Sequence, residues 1–281
     1  VNQVLNLNLF NDIQTYKNEV IPYLEQDEIV NNLALGLLLA VKEEQPIVMA
    51  TVTRENNIVM ALFQSHPKQI ILSKAAEFTP KEIHQLAALL DGNLEDIPGL
   101  IGEKDLTNQL AKEITYLRKR IPNVQMNQRL YRLDNLEKKP TDNGRLKRME
   151  LVNLPLVKEW VYQFCIEINE PMSSEDAESK AKDLIERGRV YGWEVDGEIV
   201  SMANASRPTK TNITVNFVFT PLSERKKGYA SSCVSAITEL MLNSGYKTTS
   251  LYTDLDNPTS NKIYMEIGYK PLIDSIVIHF K

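Results

Sequence analysis

Cysteine and histidine are scarce. Cys165 and Cys233, with His66, His84 and His279, are the whole supply in 281 residues. Neither cysteine has a C-x-x-C partner and no histidine sits in a ligand-spaced motif, which argues against a disulfide framework and a zinc site. The cysteines read as small hydrophobes on apolar helix faces, and the histidines as structural or surface residues. No metal is expected, and a reducing, cytoplasmic setting fits. Long apolar runs are missing too. The longest, Leu33 to Val41, is nine residues and includes Gly36, far short of a bilayer span, so no membrane partner is expected. No signal peptide is visible, and a start at Val1 reads as processed or trimmed. A net charge of −5 leaves no broad basic face, which argues against a nucleic-acid partner. Neither G-x-G-x-x-G nor G-x-x-x-x-G-K-[ST] occurs, so dinucleotide and P-loop enzymes are excluded. What is present is a globular composition, 43% hydrophobic and 25% charged, in a chain long enough for two domains of ordinary size.

Periodicity places helices over Asp12 to Glu25 and Glu28 to Val41. Paired strands follow over Ile47 to Thr53 and Ile58 to Gln64, turned at Glu55-Asn56-Asn57. Gln69 to Leu72 reads as a third strand. Thr79-Pro80 is a cap and first-turn pair for a helix to Leu90. Ile97 to Ile101 reads as a strand, Leu106 to Arg120 as a helix and Gln125 to Leu133 as a strand. A polar stretch from Glu137 to Gly144 reads as a linker. The order then repeats. Leu146 to Leu151 opens as a strand, and helices follow over Leu154 to Ile168 and Ser174 to Arg187. A hairpin, Val190 to Val195 and Glu198 to Ala205, turns at Asp196-Gly197.

The chemistry lies further on. Strand Ile213 to Thr220 stops at Pro221. The loop Leu222-Ser223-Glu224-Arg225-Lys226-Lys227-Gly228-Tyr229-Ala230 opens a helix striped by Val234, Ile237, Leu240 and Met241. A glycine-bearing loop at a helix start gathers unpaired N–H groups at the positive end of the helix dipole, which suits an anion, phosphate above all. Ser250 to Thr253 is the next strand, Asp256-Asn257-Pro258 opens a helix that ends at Gly268, and Ser275 to Phe280 closes the C-terminal domain.

Arg225-x-x-Gly228-x-Ala230 resembles the Q/R-x-x-G-x-G/A loop of the GNAT acetyltransferase superfamily. About 27 residues beyond Ala230, Asn257 to Tyr269 resembles that family's N-x-x-[AS]-x-x-x-Y-x-x-x-G-[FY] signature, with Asn257, Ser260, Tyr264, Gly268 and Tyr269 at each fixed position. The resemblance implies an α/β (α+β) chain of two tandem GNAT-like domains, each a mixed central sheet flanked by helices. The bounds are 1–137 for a degenerate N-terminal copy, 138–144 for the linker and 145–281 for the acetyl-CoA domain. The first copy departs from the pattern: nothing between Gln64 and Pro80 supplies a glycine loop, and Gly36 and Gly92 stand elsewhere.

The resemblance also implies acetyl-CoA as co-substrate and a small-molecule or peptide amine as acceptor. The backbone of Val218, Phe219 and Thr220 would hold the pantetheine arm. Arg225, Lys226, Lys227, Gly228, Tyr229, Ala230 and Ser231 would hold the pyrophosphate, and Asn257 and Asn261 would touch the cofactor. Tyr264 would protonate the leaving thiolate, although its neighbours Ile263 and Ile267 also allow a packed core aromatic. No base is evident. The strand position that often carries a glutamate holds Asn216, and Glu194, Asp254, Glu170 or ordered water are the candidates. A non-catalytic acyl-CoA-binding or sensing protein is the alternative. Acceptor identity and oligomeric state are not legible.

Overall fold

The computed structural model describes residues 4–42 and 45–281; Val1 lies outside them. Two compact units form. The first takes the chain up to Tyr131 with Tyr252–Pro258 and Pro271–Lys281, and the second takes Arg132–Leu251 with Thr259–Lys270.

The first unit contains β1 (Leu5–Leu9), α1 (Ile13–Leu24), α2 (Asn32–Ala40), β2 (Val48–Arg54), β3 (Asn57–Gln64), β4 (Ile70–Leu72), α3 (Pro80–Asn93), β5 (Gly99–Glu103), α4 (Lys104–Arg118) and β6 (Pro122–Leu133). Alternation decides the layering, because successive strand residues face opposite sides. Val48, Ala50 and Val52 pack with Leu86 and Leu90 of α3 and Leu110 and Ile114 of α4. Met49, Ala61 and Phe63 pack on the other side with Tyr16 and Val20 of α1 and Leu35 and Leu38 of α2. β1, unforeseen in the sequence, pairs antiparallel with β2 from Leu5↔Arg54 to Leu9↔Ala50. α2 starts four residues later than expected, after a 3₁₀ turn at Glu25–Asp27.

The second unit contains β7 (Arg145–Arg148), α5 (Leu154–Glu167), α6 (Ser174–Glu186), β8 (Val190–Val195), β9 (Glu198–Ser206), β10 (Asn212–Phe219), α7 (Tyr229–Asn243), the start of β11 (Thr248–Asp254) and nearly all of α8 (Pro258–Ile267). Strand order is β11-β10-β9-β8-β7. β7 to β10 are antiparallel, and β10 runs parallel to β11. Met202 and Phe219 pack with Trp160 and Val161 of α5 and Ala181 and Ile185 of α6. Ser201, one residue away, instead meets Cys233 of α7. The expected linker is held to this unit: the Glu137 N–H donates to Ile267 O at 2.9 Å, and the Thr141 hydroxyl meets Ser232 Oγ at 2.8 Å.

The last strand, β12 (Lys270–Phe280), corrects one expectation. Read as the closing strand of the C-terminal domain, it pairs antiparallel with β5 of the first unit, from Ser275↔Glu103 to His279↔Gly99. Ile276, Ile278 and Phe280 enter the first unit's core. The physical reason is that strand patterning specifies a buried face and not the partner strand that completes the ladder.

Candidate active site

β10 and β11 pair over only three positions, Asn212↔Thr248, Ile213↔Thr249 and Thr214↔Ser250. From Val215 onward that edge of β10 leaves the parallel ladder. On its other edge the register to β9 jumps from Asn216↔Asn204 to Phe219↔Met202. Phe217 takes a φ of 47° there. This is a β-bulge, which adds one residue and re-aims the backbone. Phe217 and Val218 therefore stand outside both ladders. The expected pantetheine strand, Val218 to Thr220, begins in this bulge. Phe219 O is taken by the Ser201 hydroxyl at 3.2 Å. Thr220 Oγ1 meets Ser201 Oγ at 2.9 Å.

The loop after β10 passes through a 3₁₀ turn at Leu222–Glu224 and enters α7 at Tyr229. Gly228 holds a φ of 82°, and nothing stands within 4 Å of where a Cβ would sit. Ser232 N–H closes the first helical bond to Gly228 O at 3.0 Å. Among the described residues, the N–H groups of Lys226, Lys227, Gly228, Tyr229, Ala230 and Ser231 have no acceptor, and no side chain caps the helix. Open N–H donors at a helix start are a feature that suits an anion. Ser231 Oγ is buried beside them without a partner, a further group that a phosphate would satisfy.

The three cations of the loop differ in role. Arg225 was expected to lend charge to the anion. Its Nε instead donates to Thr220 O at 2.7 Å, and a terminal nitrogen pairs with Glu167 at 2.5 Å. Its guanidinium also lies 5.8 Å from the Phe219 ring centroid. The side chain fastens the loop to β10 and α5. Lys227 pairs with Glu224 at 3.0 Å and covers the Tyr229 ring. Lys226, exposed, makes no ion pair among the described residues.

Tyr264 lies half-buried on α8, its ring edge-on to Tyr269 at 6.2 Å. Burial, with Tyr269 and Cys233 adding to it, holds its hydroxyl well above the ordinary tyrosine range. Among the described residues no hydrogen bond reaches that hydroxyl. Tyr269 is a packing residue, buried and bonded to Thr238 at 2.8 Å and Thr249 at 2.9 Å. Gly268 cannot carry a side chain: a Cβ would stand 2.9 Å from Asn135 O, at a φ of 119°. Asn261 is on α8 in the second unit. Asn257 falls in the first unit's Tyr252–Pro258 segment, where its N–H donates to Asp254 O at 3.1 Å. The second unit thus contains Val218 to Ser231, Asn261 and Tyr264, and Asn257 falls in the first.

Glu194 is withdrawn as a base. Lys147 and Arg145, each 2.7 Å away, hold its carboxyl below the ordinary glutamate range. Asn216 accepts from the Asn204 amide at 2.8 Å. Cys233 is buried, and burial pushes its thiol up to about 12, so it is no nucleophile. Sequence reasoning missed Ser231 Oγ as an orphaned group and the Arg225–Glu167 pair, because both depend on contacts far apart in the chain.

The first unit's corresponding helix start is closed. Pro80 has no N–H, and Thr79 and Glu82 form a capping box in which Thr79 Oγ1 takes the Glu82 N–H at 3.3 Å. The Glu82 carboxylate takes the Thr79 N–H at 2.8 Å and pairs with Arg54. A carboxylate already occupies the position an anion would take. The cavity beside β4 and β5, lined by Ile71, Ser73, Gly102 and Tyr252, measures about 20 Å³, room for about one water.

Residues 157–269 match the model of the acetyltransferase (GNAT) family. Among solved structures, a Drosophila protein superposes with a TM-score of 0.68 at 12% identity, over 98% of this chain and 98% of that one. A GCN5-related N-acetyltransferase from Sphaerobacter thermophilus gives 0.65 at 11% identity, over 99% and 95%. A tandem GNAT protein from the clavulanic acid biosynthesis pathway gives 0.59 at 12%, over 99% and 98%. At such identities the likeness carries the fold alone. No curated protein matches the sequence. Among the described residues no helix is long and apolar enough to cross a membrane, and no group of three metal-ligating side chains occurs.

Proposed function

We propose that this chain, whose residues 157–269 match the model of the acetyltransferase (GNAT) family, is an acyltransferase that moves the acetyl group of acetyl-CoA onto a primary amine of a small molecule or peptide. The observation that carries this reading is the run of six open N–H donors from Lys226 to Ser231, with Ser231 Oγ orphaned beside it. That arrangement fits a pyrophosphate, and acetyl-CoA supplies an acyl thioester on the same molecule. Phe217 and Val218 stand outside both ladders of β10, and backbone groups without a ladder partner are where an extended amide-bearing arm can bond.

The step needs three things from the chain. The loop binds and orients. The bulge fixes the thioester carbonyl for attack, which is catalysis by positioning. The amine nitrogen forms the new C–N bond as the C–S bond breaks toward sulfur, and the Tyr264 hydroxyl supplies a proton to that sulfur. Glu194 is ion-paired and Asn216 is an amide, so the amine's own proton leaves to ordered water or to one of the remaining carboxylates, Glu170 or Asp254. Incubation with acetyl-CoA and a panel of amines, read as CoA release and as mass gain on the acceptor, tests the reading. Amine-dependent release with a matching acetylated product is expected. Release that no amine accelerates, or none at all, would contradict it.

A further inference from the structure

Lys180 is a cation whose placement no local acid explains. It sits on α6, which carries Glu175, Asp176, Glu178, Asp183 and Glu186. Three of these are used: Glu178 pairs with Lys158 at 2.6 Å, Asp183 with Arg187 at 2.8 Å and Glu186 with Lys182 at 3.8 Å. Lys180 has Asp176 four residues before it and Asp183 three after it, both at helix-pairing distance in sequence. It takes neither. Its Nζ lies 5.6 Å from the centroid of the Phe217 ring. Among the described residues it makes no ion pair, and it is half-buried.

Phe217 is the bulge residue of β10, with its φ of 47°. Its ring meets Phe164 of α5 at 5.0 Å. Phe217, Phe164 and Met172, from the segment joining α5 to α6, are all partly buried against the same cluster. An aromatic and thioether wall with one unneutralised ammonium therefore flanks the bulge. Glu167, the last residue of α5, is held by Arg225. A cation on an aromatic face in a partly desolvated place favours a ligand that brings its own negative charge.

We propose that the acceptor amine also carries a carboxylate, as a free amino acid does, and that Lys180 is the specificity-determining residue that pairs with it. This rests on the acyltransferase reading above and names the acceptor class for that same site. The carboxylate pairs with Nζ while the aliphatic part of the acceptor lies against Phe164, Phe217 and Met172. The amine is then left facing the bulge where the thioester is held.

The test compares free amino acids with their amides, and both with a carboxylate-free polyamine, on the wild-type chain and on Lys180→Met and Lys180→Arg. Wild-type protein is expected to favour the acid over its amide. Lys180→Met is expected to raise KM for the acids by roughly tenfold to a hundredfold, the effect of losing one charge-assisted contact. Its kcat and its KM for amides should stay near wild type, and Lys180→Arg should recover part of the loss. Dividing the acid-to-amide ratio of the variant by that of wild type removes differences in amine basicity. An unchanged ratio in Lys180→Met, or a wild type that uses amides and polyamines as well as acids, overturns the proposal alone. Failure to acylate any amine overturns the acyltransferase reading and this one with it. CoA titration of Lys180→Met, expected to match wild type, shows that the variant is folded.

Discussion

Tyr264→Phe is expected to lower turnover about a hundredfold or more while leaving acetyl-CoA affinity nearly unchanged, as loss of a general acid does. The substitution removes one oxygen. The ring keeps its edge-on contact with Tyr269 at 6.2 Å, so stability should move little. The half-buried hydroxyl has no partner among the described residues and is thus free to donate to a developing thiolate. The pH dependence follows from the direction of its shift. Burial raises the hydroxyl above the ordinary tyrosine value, which is about 10. A group with a raised value keeps its proton to higher pH, so the donor stays protonated throughout the working range. No alkaline loss of rate from Tyr264 should appear up to about pH 10, and the variant's profile should keep the wild-type shape at a lower level. Single-turnover measurement with an active acceptor checks this. An unaltered rate for the chemical step would remove Tyr264 from the mechanism.

Gly228→Val is expected to cost at least a hundredfold in CoA affinity, about 3 kcal/mol. Two effects add. A β-branched residue at a φ of 82° is strained by about 1–2 kcal/mol, which distorts the loop. Its methyl groups would also fill the open space beside the loop, and each charge-assisted bond to an anion lost there weakens binding by about 1.5–3 kcal/mol. Gly228→Ala separates the two, since its methyl group meets nothing within 4 Å and only the backbone strain remains. Its loss should be the smaller. Calorimetry on Gly228→Val protein with a wild-type circular dichroism spectrum decides the matter, and undiminished affinity would move the phosphate site elsewhere.

The order of elements was legible in the sequence from Asp12 onward, because the signals are local. The Asp196-Gly197 hairpin, the Thr79-Pro80 helix start and the apolar stripe of α7 each depend on a few neighbouring residues, and each stands where periodicity put it. The loop and α8 signatures were legible for a further reason: both consist of residue types at fixed spacing. What could not be read depends on partners distant in the chain. β12 looks like any closing strand until Ile278 is seen opposite Leu100. β1 alternates as Leu5-Asn6-Leu7-Asn8-Leu9 but is only five residues long and carries asparagine, which is depleted in strands, so the pattern is easily passed over. Arg225 reads as one of three loop cations, yet its partners are Thr220 O and Glu167. Glu194 reads as an available carboxylate until β7 brings Arg145 and Lys147 against it. Lys180 carried no signal at all, since its meaning lies in the helix acids it avoids and the bulge it faces.

Two units with the same order of elements invite the expectation of two cofactor sites, and the helix starts say otherwise. α7 begins with open donors and a left-handed glycine, whereas α3 begins with Pro80 and a capping box filled by the Glu82 carboxylate. Isothermal titration of the wild-type chain with CoA measures this difference directly. About one equivalent per chain is expected, abolished by Gly228→Val and untouched by Glu82→Gln. Two equivalents, or one equivalent that survives Gly228→Val, would contradict a single phosphate cradle at Lys226 to Ser231.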